Sequence, residues 1–169
     1  MKKIFSVLSV FLFSISLYCG VGKYKVFKKD KYIGAINYYE VNEKIYFDLN
    51  DAVKILNARK DVYSVSSRVI IYLNGKKLNI SKDSVNYDNL ESINVSKPVI
   101  IRASRYFVLS DIFVNPLFSK VFEIKVDLDN KSKIMGIYED INVTGIKFFS
   151  YIEKTRVVIY MSKELKYNT

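Results

Sequence analysis

The chain has 169 residues, half of them hydrophobic and 15% aromatic, which is enough apolar material for a packed core and argues against general disorder. It carries a formal net charge of +10, with no histidine and a single cysteine. A histidine-ligated zinc site, a Ser-His-Asp triad, a Cys-His dyad and an internal disulfide are therefore excluded.

From the amino end, Lys2 and Lys3 precede an apolar run over residues 4–17 that only serines interrupt, and small residues follow at Gly20 and Gly22. This is the charged, apolar and small-residue order of a secretory signal, assigned to residues 1–22 with Lys23 as the first mature residue. The run falls short of the roughly 18 to 20 apolar residues that a spanning helix needs, so membrane contact is expected only through an uncleaved signal. Tyr18 is too bulky a neighbour for Cys19 to be lipidated, and cleavage would remove that cysteine. Export predicts a periplasmic or cell-surface location. A basic exported chain is drawn to anionic envelope polymers, and nucleic acid is not an expected partner.

Next, residues 24–27 and 32–39 flank the polar stretch 28–31 and predict a hairpin. A strand through Tyr46 and Phe47 runs into a short helix for which Asn50 is the expected cap, with Asp51 in the first turn and Ala52, Val53 and Leu56 as its apolar stripe. Residues 62–65 and 68–73 read as strands. Asn74-Gly75, whose positive φ values suit a type I′ turn, joins the second of them to residues 76–80. Arg102 and Arg105 bracket a turn at Ala103-Ser104. Ser110 is the expected cap of a second helix that should stop early, because Pro116 disfavours helical geometry at Asn115. Residues 122–128 and 133–138 then pair around the turn at 129–132.

An internal repeat organises these elements. Tyr46-Phe47-Asp48-Leu49-Asn50-Asp51 aligns with Tyr106-Phe107-Val108-Leu109-Ser110-Asp111 sixty residues later, with four identities in six. The fold class read from this is α+β and β-rich. Two strand-helix-strand-strand repeats share one core over residues 23–139, and a partial β-sandwich hairpin follows over 140–169. That tail pairs a strand over 141–151 with one over 155–161, and an isolated hairpin is marginal in water. It must dock on the preceding module or open a further domain.

Val143-Thr144-Gly145-Ile146-Lys147-Phe148, then Thr155-Arg156-Val157-Val158-Ile159 and Lys166-Tyr167, resemble the start of an AMIN domain. That domain is the envelope-targeting module of bacterial N-acetylmuramoyl-L-alanine amidases. The Tyr-Phe-x-Leu-[Asn/Ser]-Asp repeat, with Asn74-Gly75-Lys76-Lys77 between its copies, resembles the copper amine oxidase N-terminal-like domain that precedes AMIN in some of these enzymes. The resemblance implies the non-catalytic front of an amidase, associated with peptidoglycan, with the zinc-dependent catalytic domain missing. Without histidine the copper-named module has no plausible copper ligand set.

No catalytic residue, metal site or cofactor is expected. Arg102, Arg105 and Arg156 are the candidate ligand-binding residues, the first two for a carboxylate or phosphate and the third for an anionic sugar or peptide carboxylate, but the favoured reading is a solvated hairpin end for Arg102 and Arg105 and a structural ion pair for Arg156. Asp48, Asp51 and Asp111 invite a glycosidase reading, but two of them have a simpler role at helix starts. The rival readings are a non-functional gene remnant and an exported structural protein unrelated to cell-wall hydrolysis. Oligomeric state is open.

Overall fold

The computed structural model describes residues 19–139, 143–151 and 153–161. Within them the chain is β-rich, with fourteen strands and three short helices. The amino-terminal residues 1–18, the linker 140–142 and the carboxyl-terminal residues 162–169 lie outside the described residues. Most of the expected leader and the closing Lys166-Tyr167 fall there.

The larger sheet has seven strands. It runs β11 (Ile124–Asp129), β12 (Ile134–Glu139), β1 (Cys19–Lys28), β2 (Lys31–Val41), β3 (Lys44–Asp48), β10 (Arg105–Leu109) and β9 (Val99–Arg102). Every neighbour is antiparallel except β1 and β12, which run parallel in the register Lys25↔Ile134 to Lys28↔Ile137. A five-stranded meander holds β4 (Arg59–Tyr63), β5 (Arg68–Leu73), β6 (Lys76–Ile80), β7 (Ser84–Tyr87) and β8 (Glu91–Asn94). Among the described residues the last two strands, β13 (Val143–Ser150) and β14 (Thr155–Met161), pair only with each other. One buried cluster joins Tyr24, Ile36 and Phe47 of the large sheet to Val69, Leu78 and Tyr87 of the meander. Helices α1 (Leu49–Ile55), α2 (Asp111–Val114) and α3 (Pro116–Phe122) contribute Ala52, Phe113 and Phe118 to the same cluster.

Tight turns explain the meandering course. Both central residues have positive φ at Lys29-Asp30, Asn42-Glu43, Asn74-Gly75 and Ala103-Ser104, which matches the twist of the strands they join. The expected hairpins at residues 24–39 and 68–80 therefore form as read. The first strand is longer than expected: β1 begins at Cys19, so Cys19–Gly22 pair with 38–41 although the sequence reading placed them in the leader. Gly22 has a packing reason to be glycine as well, because a Cβ there would lie 2.8 Å from the Tyr38 ring.

One expected cap is corrected and the other holds its position without the expected bond. Asp48, not Asn50, caps α1: its carboxylate accepts from the backbone N–H groups of Asn50 at 2.9 Å and Asp51 at 3.2 Å. The Asn50 side chain instead accepts from Lys60. Ser110 precedes α2 without a side-chain cap bond, and its hydroxyl donates to Asp111. Pro116 does hold Asn115 extended, as expected, but it also opens α3, because Pro suits the first helical position and Asn115 Oδ1 accepts from Leu117 N. Phe122 consequently ends a helix instead of starting a strand, and β11 begins at Ile124. The strand read at 62–65 is observed at Arg59–Tyr63, and Val65 is in the turn, fully exposed.

Candidate functional site

Of the three candidate arginines, the fold brings two together. Arg102 and Arg105 are directly paired across the Ala103-Ser104 turn. Arg105 is already engaged: its guanidinium lies 2.8 Å from Asp48 Oδ2 on the adjoining strand. Asp48 is completely buried, and Oδ2 meets no aligned hydrogen-bond donor, so the arginine alone balances that oxygen. Arg102 is exposed. Arg156 is exposed opposite Phe149 in the separate β13–β14 sheet and is no part of that pair.

A second constellation, not anticipated from the sequence, lies where β1, β2 and the β11–β12 turn meet. The Lys133 ammonium is 5.3 Å from the Tyr24 ring centroid and 4.9 Å from that of Tyr38. Tyr24 is fully buried and its hydroxyl donates to Asn130 at 2.8 Å. Burial raises the Tyr24 phenol above its ordinary pKa, although Lys133 opposes this. Burial alone would lower Lys133, but the facing Tyr24, Tyr38 and Glu40 raise it overall. The parallel strand contact is closed here by Lys25 N donating to the Lys133 carbonyl at 2.9 Å. These groups stabilise the junction. Tyr46 is likewise buried and donates to the Lys97 carbonyl at 3.2 Å, a packing role.

A well-formed concavity lies elsewhere, beside β11. A cavity of about 500 Å³ is lined by the apolar Phe113, Val114, Pro116 and Val126 and by two bases and two acids, Lys120, Lys125, Glu123 and Asp127. A second, of about 290 Å³, shares Val114, Val126 and Asp127 with it and adds Glu43 and Asp111. Lys125, Val126 and Asp127 all line the first, and Val126, Asp127 and Leu128 all line the second. One edge of β11 pairs with β12, and β11 is the last strand of its sheet among the described residues, so the groove that these two cavities form lies beside the end of the sheet.

None of the candidate arginines lines this groove. The alternation Lys125-Val126-Asp127-Leu128-Asp129 is visible in the sequence, but its place at the end of a sheet depends on the parallel pairing of β12 with β1. Among the described residues, no group of three His, Cys, Asp or Glu side chains is placed to hold a metal ion. No helix among them is long and apolar enough to cross a membrane. No protein-family model, curated protein or solved structure matches the chain.

Proposed function

We propose that this chain is a non-catalytic cell-envelope module of the kind found at the front of N-acetylmuramoyl-L-alanine amidases, exported to the periplasm or cell surface and associated with peptidoglycan. Within that reading, residues 23–139 form two strand-helix-strand-strand repeats in one core, and 140–169 begin an AMIN-like sandwich.

The observation that carries the reading is the meeting of the two sequence motifs. β3 and β10 are neighbours with Phe47 opposite Val108 and Asp48 opposite Phe107. Counted in repeat positions, the second residue of each copy faces the third of the other, as a local two-fold relation requires. Duplicated units that build a common core in this way suit a scaffold. The exposed apolar row Ile146, Phe148, Val157 and Ile159 on one face of the β13–β14 hairpin supports the sandwich assignment, since that is the inner face a sandwich would cover. The net charge of +10, which becomes +8 when Lys2 and Lys3 leave with the signal, supports an anionic envelope polymer as partner.

Sedimentation of the exported chain with purified murein sacculi tests the proposal. Retention above that of a basic control protein of similar charge is expected, and equal retention would remove it. An amidase assay on the same sacculi should release no muramoyl-linked peptide, for want of imidazole ligands.

A further inference from the structure

We infer that the apolar face of the β13–β14 hairpin joins two copies of this chain, which pack those faces together as a small two-layer sandwich. The pairing goes beyond murein association and does not depend on it.

The pairing register sorts the hairpin into two unlike faces. Side chains alternate along a strand, so Ile146 and Phe148 share a face with their partners Ile159 and Val157. All four are exposed, Phe148 at 70%. The other face carries Lys147 and Arg156, and the Lys147 ammonium lies 5.3 Å from the centroid of the Tyr160 ring. One face is thus dressed with cations, and the row on the other is aliphatic and aromatic only. A two-stranded ribbon is marginal in water without a layer against it, and among the described residues β13 and β14 are bonded to no other strand.

Area and charge commit the occupant to a second copy. At these exposures the four side chains offer roughly 400 to 500 Å² of apolar surface, the size at which a patch on a monomer is commonly an interaction site. Two such faces bury roughly 800 to 1,000 Å² together, the low end for a specific and reversible interface. A partner must therefore cover the whole face to hold at all, and must be apolar over the width of two strands; the same face on a second copy meets both conditions. On a chain of net charge +10 two copies repel, and the face without a cation is where they approach at least cost. The shape agrees. A two-fold axis running across the strands lays the Phe148 and Val157 row of one copy over the Ile146 and Ile159 row of the other, and the reverse contact follows by symmetry. The bulky ring thereby meets the lower aliphatic row at both ends, which evens the layer between aligned sheets.

Sedimentation equilibrium of the exported chain, in reducing buffer so that any retained Cys19 cannot bridge copies, tests this. A discrete monomer–dimer equilibrium is expected, with a dissociation constant on the order of 10 to 100 µM. Phe148→Lys and Phe148→Glu should each weaken it by about tenfold or more, and mixing the two variants should restore a dimer. Phe149→Thr, on the opposite face, should change it by less than about threefold. Raising the salt concentration should tighten the dimer by screening two like-charged copies, whereas it should loosen retention on sacculi. A chain that stays monomeric at about 1 mM would overturn the proposal. So would unchanged association of Phe148→Lys, failure of the mixed variants to pair, an equal loss in Phe149→Thr, or a dimer that salt dissociates.

Discussion

Asp48→Asn and Asp48→Ala remove different parts of one buried carboxylate's work, and the comparison measures each. Oδ1 satisfies two backbone N–H groups at the start of α1, and Oδ2 faces Arg105 at 2.8 Å. Alanine abolishes the cap, worth about 1 kcal/mol. It also abolishes the charged contact, for which about 1 to 2 kcal/mol is reasonable because Arg105 is half exposed and can turn to water. The expected loss is about 2 to 3 kcal/mol. Asparagine keeps an acceptor for the helix and forfeits the charge, so about 1 to 2 kcal/mol is expected. Arg105→Ala strands a fully buried carboxylate oxygen and should cost about 2 to 3 kcal/mol, below the range for a wholly buried pair. Urea unfolding followed by circular dichroism reads these as midpoint shifts at constant slope. The double variant Asp48→Ala with Arg105→Ala should lose clearly less than the two single losses added. Equal losses for Asp48→Ala and Asp48→Asn, or a loss below about 0.5 kcal/mol for Arg105→Ala, would refute the reasoning.

In a chain that retains Gly22, Gly22→Ala should destabilise by about 1 to 3 kcal/mol, because Tyr38 is packed between Tyr24 and Lys133 and cannot retreat from the new methyl. Gly136→Ala meets the ring of the exposed Tyr138, which can swing away, so its midpoint should move by less than about half as much. Replacing Ala103-Ser104 by Asn-Gly should raise stability by about 0.5 to 1 kcal/mol in the same assay, since both residues are held at positive φ. For Tyr24 and Lys133 the folded pKa is raised, so the folded state binds more protons in the alkaline range. Their contribution is complete below the unfolded values near 10 and is lost as pH rises through the raised folded ones, so urea midpoints should fall as pH is taken upward past about 10. Asp129 has the opposite sign. Hydrogen bonds from the Ser132 hydroxyl and from the backbone of Ser132 and Lys131 lower its pKa, so the turn is supported above the unfolded carboxylate range and released as pH falls through the lowered folded value. Amide shifts of Lys131 and Ser132 across an acid titration should report this.

Local structure was legible wherever its cause lies within a few residues. Asn74-Gly75 announces its turn because both residues tolerate positive φ, and Pro116 announces the break at Asn115 because its ring bars the helical form there. The turns at Lys29-Asp30 and Ala103-Ser104 use the same backbone geometry without those residues, since the strands they connect impose it. The Asp48 cap was hidden by a plausible neighbour: Asn50 is also a capping residue, and only the burial of Asp48 beneath Arg105 decides between them. Among the candidate arginines, composition identified the charge but could not tell which guanidinium a carboxylate from another strand would already hold.

The amino-acid sequence alone determined that this chain carries no histidine and one cysteine, its basic charge, its β-rich character and the pair of related motifs. Those follow from residue identities and short-range periodicity, and no folding is needed to read them. Only the tertiary structure decided that the two motifs lie side by side, that β12 runs parallel to β1, and that β11 is thereby the last strand of its sheet among the described residues. Strand neighbours separated by roughly sixty to a hundred residues are chosen by which apolar faces can be buried together, and that choice is made by the whole core at once.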